Sequence, residues 1–138
     1  MRFFDASALV KRYTNEPSSA EVERLFGIGP AAISRLSEVE VASALERLLA
    51  EGLMTSSDRD RVVAALELDL STLRIVELTA EVTVVARNLL SRHRLRASDA
   101  VQLASCLWLQ RELGESIPFT GFDNRLNRAA DREGLATK

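Results

Sequence analysis

Apolar residues follow two alternating spacings along this chain. Short apolar runs at 2–5, 31–34, 74–78 and 117–120 have the length and residue types of β-strands. Between them, apolar residues recur every three or four positions, as on one face of an α-helix. The second pattern predicts helices over 8–13, 37–51, 57–70, 80–93, 98–113 and 124–133, and one between the turn at 16–19 and Gly27.

The alternation of strands and helices predicts the fold class. Parallel strands need long crossover connections, and right-handed crossovers place helices on both faces of the sheet. We therefore expect an α/β fold with three layers, in which a central parallel sheet lies between helices. The helices at 37–51 and 57–70 are expected to form a hairpin. No repeat, low-complexity tract or linker divides the sequence, so residues 1–138 are expected to form a single domain.

Several residues at the predicted helix starts have the side chains of helix caps. Ser7, Thr79 and Asp123 each precede a helical pattern and can accept a hydrogen bond from its first free backbone N–H groups. Ser37 and Glu40 have the spacing of a capping box, in which each side chain bonds the backbone N–H of the other. The sequence therefore predicts where four helices begin.

Composition and charge limit the class of protein. With 46% hydrophobic and 28% charged residues, the chain is typical of a folded globular protein. Its net charge of -2 gives no overall positive field, so a polyanion has to be bound locally. Lys11 and Lys138 are the only lysines, and arginine, which supplies the other positive charges, forms bidentate hydrogen bonds with phosphate.

Cysteine content and the length of apolar stretches indicate in which cellular compartment the protein is expected. Cys106 is the only cysteine, so an intramolecular disulfide is impossible and a cytoplasmic location is expected. The N-terminal segment lacks the long apolar stretch of a signal peptide, and no segment approaches the ~20 apolar residues of a membrane span. We therefore expect no association with a membrane.

Four carboxylates occupy equivalent places in four separate segments. Asp5, Glu40, Asp99 and Asp123 each lie where an apolar run gives way to a helix start. Loops that follow parallel strands meet along one edge of an open sheet, so these side chains are expected to converge in one acidic pocket. Carboxylate oxygens select Mg²⁺ or Mn²⁺, and no cluster of cysteine and histidine ligands competes.

Each acid also has a local structural explanation. Glu40 fits the capping box, Asp99 suits the positive end of a helix dipole, and Asp123 suits a helix cap. Asp5 is harder to explain locally, because a carboxylate beside a buried strand is costly to desolvate without a partner. If the acids converge, their repulsion raises their pKa values, and a divalent ion would keep them ionised.

A metal held by carboxylates favours phosphodiester chemistry. Such ions polarise phosphoryl oxygens and lower the pKa of a bound water. Ser7, two residues after Asp5, and Thr120, three residues before Asp123, carry hydroxyls that can orient the carboxylates. Hydrolysis of a phosphodiester is the reaction that these residues predict.

Four segments contain the acids together with characteristic neighbours. They are FDASALVK at 4–11, SRLSEVE at 34–40, RASDAVQLA at 96–104 and FTGFDNRL at 119–126. In this order they resemble the signature segments of PIN-domain proteins, and in particular of VapC-type toxins. The resemblance extends over almost the whole chain, and its specificity lies in the order and the intervals of the four motifs.

The resemblance implies an α/β/α sandwich that cleaves RNA with Mg²⁺ or Mn²⁺. It assigns metal-binding and catalytic roles to Asp5, Glu40, Asp99 and Asp123. It makes Thr120 the hydroxyl that supports Asp123, and it implies a cognate VapB-like antitoxin and a homodimer. Some relatives carry another acid after the fourth one, whereas Asn124 stands here, so the resemblance leaves open whether a second metal is held.

Six positive side chains are candidates for binding the RNA backbone. They are Lys11, Arg12, Arg94, Arg96, Arg125 and Arg128. The structural alternative is that these side chains are solvated on the faces of helices. His93, the only histidine, fits the negative end of a helix better than it fits a general base.

Other functions remain open from the residues alone. A non-catalytic interaction module of the same fold would bind Mg²⁺ structurally and dock a protein partner. A phosphoacceptor would use Asp5 as a nucleophile, although no lysine lies near the last strand to pair with a phosphoryl group. A nuclease that acts on DNA is a further alternative, because a metal and its acids do not recognise the sugar.

Overall fold

Within residues 1–137, which the computed structural model describes, four parallel strands form the central sheet. They are β1 (Arg2–Phe4), β2 (Ala31–Ser34), β3 (Arg74–Val76) and β4 (Phe119–Thr120). Their order across the sheet is β3-β2-β1-β4, and each neighbouring pair is parallel. The four predicted strands are confirmed, although β3 and β4 are each two residues shorter than their apolar runs.

Seven helices connect and flank the strands in the same part of the chain. They are α1 (Ala6–Tyr13), α2 (Ser19–Phe26), α3 (Leu36–Ala50), α4 (Ser56–Leu70), α5 (Ala80–Arg92), α6 (Ala97–Leu113) and α7 (Asn124–Arg132). Their number and order agree with the periodicity of apolar residues. Among residues 1–137, no helix has the length and apolar character that crossing a membrane requires.

The two faces of the sheet carry separate apolar clusters, because successive residues of a strand point to opposite sides. Phe3, Ala32 and Val76 pack on one face with residues of α5, α6 and α7. Phe4 and Ile33 pack on the other face with residues of α1 to α4. The sheet therefore lies between two helical layers, and the predicted three-layer α/β/α fold is confirmed.

The helical hairpin of α3 and α4 covers the second of these faces. Val41 and Leu45 of α3 share one buried cluster with Val62 and Leu66 of α4. A capping box begins α4: Thr55 Oγ1 accepts a hydrogen bond from the backbone N–H of Asp58, and Asp58 Oδ2 accepts one from that of Thr55. The predicted hairpin is therefore confirmed.

Two of the predicted helix caps are wrong. Asp5, not Ser7, caps α1, because the helix begins two residues earlier than the pattern indicates and Asp5 Oδ1 accepts from Ala8 N at 2.9 Å. The capping box of Ser37 and Glu40 is absent from the described structure, since α3 begins at Leu36 and places both residues inside the helix. Caps at Thr79 and Asp123 are confirmed, each side chain accepting from the backbone N–H three residues later.

The direction of the strands brings the ends of β1, β2 and β4 to one edge of the sheet. Asp5 directly follows β1, and its backbone N–H donates to the carbonyl of Thr120 at the end of β4. The short connection from β2 to α3 lies on the other side of β1. Segments far apart in sequence therefore begin their helices beside one another.

Candidate metal centre

A cleft of about 390 Å³ opens at the carboxyl edge of the sheet, and four acidic side chains line it together. Asp5 enters it from the end of β1, Glu40 from the start of α3, Asp99 from the first turn of α6, and Asp123 from the N-cap of α7. Four segments that span most of the chain thus contribute one carboxylate each to a single surface.

Asp5 is the deepest of these acids, with 3% of its surface exposed. Its Oδ1 atom accepts two hydrogen bonds, from Ser7 Oγ at 2.7 Å and from Ala8 N at 2.9 Å. The Ser7 hydroxyl also accepts from the backbone N–H of Phe122 at 3.0 Å. Ser7 therefore connects the carboxylate after β1 to the loop after β4 and fixes the orientation of Asp5.

Burial raises the pKa of Asp5 to about 6. The hydrogen bonds from Ser7 and Ala8 lower the pKa but do not outweigh burial, and the charges of Glu40 and Asp99 raise it further. Burial is also the largest cause of the raised pKa of Asp99, to which repulsion from Asp123 and Glu40 adds. The cleft thus disfavours its own negative charge.

The second oxygen of Asp5 lies against Gly121, in the loop between β4 and α7. A Cβ atom placed on Gly121 would lie 2.5 Å from Asp5 Oδ2 and 2.8 Å from its Cγ. Oδ2 accepts no hydrogen bond from residues 1–137. Because Oδ2 is not fully buried, this oxygen is open to the cleft and available to a cation.

Glu40 is held by a buried glutamine on a distant helix. Gln102 Nε2 donates to Glu40 Oε2 at 2.5 Å and to Ser37 Oγ at 3.0 Å. Gln102 is 1% exposed and lies three residues after Asp99, on the same side of α6. This network replaces the predicted capping box, because Ser37 is directed at α6 and not at the start of its own helix.

The remaining predicted hydroxyl does not reach the acids. Thr120 Oγ1 accepts a hydrogen bond from Arg2 Nη1 at 3.0 Å. Thr120 pairs with Phe4 across the sheet, and Arg2 lies two residues earlier on β1, so both side chains are on one face of the sheet. Within residues 1–137, Thr120 makes no hydrogen bond to Asp123, which lies beyond the turn and accepts from Leu126 N at 2.8 Å, so the supporting role of Thr120 stays a prediction.

The predicted cationic residues separate into three groups. Lys11 and Arg96 line the acidic cleft, and Lys11 Nζ also lies 5.0 Å from the ring centroid of Phe122. Arg12 lies outside the lining of the cleft, because its guanidinium pairs with Asp69 and Glu23. Its predicted role in RNA binding is therefore not supported. The third group, Arg94, Arg125 and Arg128, lines a separate groove.

Three residues of the site were missed from the sequence. Gln102 could have been found from its position one helical turn after Asp99. Arg47 lines the cleft and lies seven residues after Glu40, a spacing that returns to the same face of a helix. Gly121 gives no such signal, because its role depends on how closely the loop after β4 approaches β1.

The donor set fits a hard divalent cation, since it consists of carboxylate oxygens with a free atom on Asp5. Among residues 1–137, no three acidic, histidine or cysteine side chains converge closely enough to form a finished binding site. Repulsion between the carboxylates opposes their closer approach, although Lys11, Arg47 and Arg96 also line the cleft.

Comparison with known proteins identifies the class. The model of the PIN domain family matches residues 2–132. Ribonuclease VapC45 of Mycobacterium tuberculosis is 40% identical over 106 residues, which are 76% of this chain and 74% of that protein. The chain belongs to the PIN-domain family, as the four sequence motifs predicted. Within that family, it is similar to VapC-type ribonucleases.

Solved structures share this fold at low sequence identity. The structure of FitAcB from Neisseria gonorrhoeae aligns with a TM-score of 0.72 and 16% identity, and the alignment covers 99% of this chain and 96% of that one. A toxin-antitoxin complex from Klebsiella pneumoniae contains a chain that aligns with a TM-score of 0.63 and 17% identity, over 91% of this chain and 88% of that one. Both confirm the arrangement of sheet and helices.

Proposed function

We propose that this protein is a divalent-metal-dependent endoribonuclease and the toxin of a toxin-antitoxin pair. The observation that carries the proposal is the cleft in which Asp5, Glu40, Asp99 and Asp123 meet at the ends of the strands. The 40% identity to a protein named a ribonuclease supports RNA as the substrate. Mg²⁺ or Mn²⁺ is the proposed cofactor, because the available ligands are carboxylate oxygens.

The four acids have different environments and, in this proposal, different roles. Asp5, Asp99 and Asp123 would hold the ion, which when bound supplies Lewis acidity toward a phosphoryl oxygen and a water of lowered pKa. Glu40, oriented by Gln102, accepts a proton from the attacking water. Lys11 and Arg96 bind the phosphate oxygens at the rim of the cleft.

The proposed partner is a VapB-like antitoxin protein. Structures that share this fold include one described as a toxin-antitoxin complex, which supports a protein inhibitor for this chain as well. We further propose a homodimer and a cytoplasmic location, where RNA and the antitoxin are available. Copurification of the chain with the product of a neighbouring short gene tests the partner, and a chain that purifies alone under all conditions contradicts it.

Removal of divalent metal is expected to stop RNA cleavage. With EDTA, an RNA pool should remain intact, because the acids then repel both one another and the phosphates. Added Mg²⁺ or Mn²⁺ should restore cleavage, which gel electrophoresis of the RNA measures. A DNA pool of the same sequence is the control that shows whether cleavage requires a ribose sugar. Cleavage that continues in EDTA contradicts the proposal, and Mg²⁺ binding without any cleavage favours the non-catalytic interaction module.

Ser7→Ala is expected to weaken Mg²⁺ binding and cleavage by roughly ten- to a hundredfold, the usual effect of removing a residue that orients a ligand. The hydroxyl lowers the pKa of Asp5 and ties it to Phe122, so its loss raises that pKa and frees the carboxylate. Titration calorimetry with Mg²⁺ measures the affinity.

Ser98→Ala is the matched control for this prediction. Ser98 lines the same cleft, and its hydroxyl makes no hydrogen bond within residues 1–137. Equal losses of affinity in the Ser7→Ala and Ser98→Ala proteins would show that the hydrogen bond to Asp5 is not responsible.

A further inference from the structure

A basic groove lies beside the acidic cleft, between the connection from α5 to α6 and helix α7. It has a volume of about 590 Å³, and its charged lining consists of Arg92, His93, Arg94, Arg125, Arg128 and Arg132. We refer to these six residues as the arginine groove. Their positive charge is concentrated on one surface of a chain whose net charge is -2.

One glutamate binds two members of the arginine groove. Glu133 accepts from Arg92 Nε at 3.0 Å and Nη2 at 3.1 Å, and its Oε1 lies 2.6 Å from His93 Nε2. Burial opposes the ionisation of Glu133, but the hydrogen bonds from His93 and Arg92 outweigh it and lower its pKa. Glu133 therefore stays ionised and fixes this end of the groove.

The other four arginines have no acidic partner. Arg94, Arg125, Arg128 and Arg132 are exposed, and they form no ion pair within residues 1–137. Arginines such as Arg74 and Arg111 also form no ion pair within residues 1–137, but the groove differs from them in bringing four unpaired arginines to one surface. The arginine groove therefore retains donors for bidentate hydrogen bonds to an anion.

Three of these unpaired arginines form a row along α7. Arg125, Arg128 and Arg132 have the spacing of one helix face, and the row is about 10 Å long from the rise of a helix. One nucleotide step along a duplex strand rises ~3.4 Å, so a row of this length can contact more than one phosphate. Arg125 also lies in the first turn of α7, where the helix dipole disfavours a cation. Helix stability therefore does not explain its position.

The arginine groove adjoins the acidic cleft at two places. Arg125 lies two residues after Asp123, in the first turn of the helix whose N-cap, Asp123, lines the cleft. Arg94 lies two residues before Arg96, which lines the cleft itself. A strand whose phosphate is held in the cleft can therefore continue into the groove.

We propose that the arginine groove is a subsite for the RNA backbone, in which several phosphates beside the cleaved bond are bound by Arg94, Arg125, Arg128 and Arg132. The inference rests on the proposed ribonuclease function and adds to it that the substrate is an RNA long enough to occupy both the cleft and the groove. A polyanion is the ligand that fits, because the unpaired groups are all cationic and several lie in a row.

The test compares two double variants with the same change in net charge. Arg128→Gln with Arg132→Gln removes half of the unpaired charge of the groove. Arg74→Gln with Arg111→Gln removes two exposed arginines at the opposite end of the molecule, at the start of β3 and in the last turn of α6. Thermal unfolding of both proteins checks that these surface changes leave the fold intact.

RNA affinity is measured with EDTA present, as a function of salt, so that binding is separated from metal-dependent cleavage. For the groove variant, we expect affinity to fall roughly tenfold or more and the slope of log affinity against log salt to decrease by roughly 1.5, since each phosphate contact contributes ~0.7–0.9. With Mg²⁺, the same variant should show a raised KM and a nearly unchanged kcat. The control variant should match the wild type in all three measurements.

The outcomes separate this inference from the proposed function. If the wild type cleaves RNA in Mg²⁺ but the groove variant keeps the salt slope and KM of the control, the groove does not bind RNA. The inference also fails if the groove variant binds RNA normally and instead loses its complex with an antitoxin protein. If the wild type cleaves no RNA, the ribonuclease proposal fails, and the salt slopes in EDTA still decide whether the groove binds RNA.

Discussion

Asp5→Asn is expected to reduce RNA cleavage to the level seen without divalent metal while the protein remains folded. Asparagine has the same shape, and its Oδ1 can still accept from Ser7 and Ala8, so the cap of α1 is kept. The change removes the charge of the deepest acid in the cleft, and with it the strongest electrostatic attraction for a divalent ion. Cleavage of an RNA pool and calorimetric titration with Mg²⁺ measure the two losses.

The same change is expected to stabilise the metal-free protein at neutral pH. The pKa of Asp5 is about 6 when the protein is folded, against an ordinary value of 3.8. A raised pKa means that folding favours the protonated form, so this contribution to stability is full below pH ~4 and is lost as the pH rises to ~6. Asparagine cannot ionise, so the variant should exceed the wild type by up to about 3 kcal/mol above pH 6, at ~1.4 kcal/mol per pKa unit.

Denaturant unfolding in EDTA, from pH 4 to pH 8, measures this difference in the free energy of unfolding. Other titrating groups are common to both proteins, so the difference isolates Asp5. Asp60→Asn, on the exposed surface of α4, is the control and should show neither the gain in stability nor the loss of cleavage. Cleavage by the Asp5→Asn protein at the rate of the parent would refute the assignment of Asp5 to the site.

The loss of cleavage and the gain in stability expected of Asp5→Asn have the same cause, which is the position of a buried carboxylate among other acids. Burial of the Asp5 carboxylate and, to a smaller extent, repulsion from Glu40 and Asp99 destabilise the metal-free fold, and a bound cation offsets both. Acids that served only as helix caps would instead stabilise the free protein, as Asp58 does when Thr55 lowers its pKa. A loss of activity together with a gain in stability therefore separates a functional site from a structural one.

The fold could be predicted because its signals are local. Apolar runs of strand length and helical spacing lie in the segments that become the sheet and its two layers. The predicted helix caps were wrong where a helix begins one or two residues before its apolar pattern. The helix α3 begins at Leu36, so Ser37 lies inside it, and the apparent capping box of Ser37 and Glu40 does not form. Its hydroxyl bonds Gln102, which is 65 residues away in sequence.

The candidate site could be predicted only in part, for a related physical reason. The positions of Asp5 and Asp123 at the ends of β1 and β4 follow from the direction of parallel strands. The hydrogen-bond partners of polar side chains do not follow from the direction of the strands, because these bonds form between groups that tertiary packing brings together. Arg12 illustrates this: its sequence position suits the cleft, but Asp69 and Glu23 bind its guanidinium elsewhere.

Gly121→Ala is expected to lower Mg²⁺ affinity and cleavage by roughly a hundredfold, the effect that a displacement of about 1 Å can have in an active site. A methyl group at this position would lie 2.5 Å from Asp5 Oδ2 and 3.1 Å from Phe119 Cε1. Asp5 has little room to move, since Ser7 and Ala8 bond its other oxygen. The backbone of Gly121 does not have a positive φ, so the loop itself tolerates alanine.

A double-mutant cycle locates the cause of this loss. Gly121→Ala alone should destabilise the metal-free protein by about 1–3 kcal/mol, as overpacking generally does. In an Asp5→Ala background the carboxylate is gone, so the same methyl group should be largely tolerated, and the two changes should be clearly non-additive in free energy of unfolding. Gly29→Ala is the control, because no atom lies within 4 Å of the added Cβ.

Additivity in this cycle would show that the added methyl group acts on Phe119 or on the loop and not on Asp5. A Gly121→Ala protein with the parent's Mg²⁺ affinity would equally contradict the role given to the glycine. Non-additivity together with lost affinity would mean that the absence of a side chain after β4 positions the carboxylate after β1. The site would then depend on the contact between two neighbouring strands of the sheet as much as on the acids themselves.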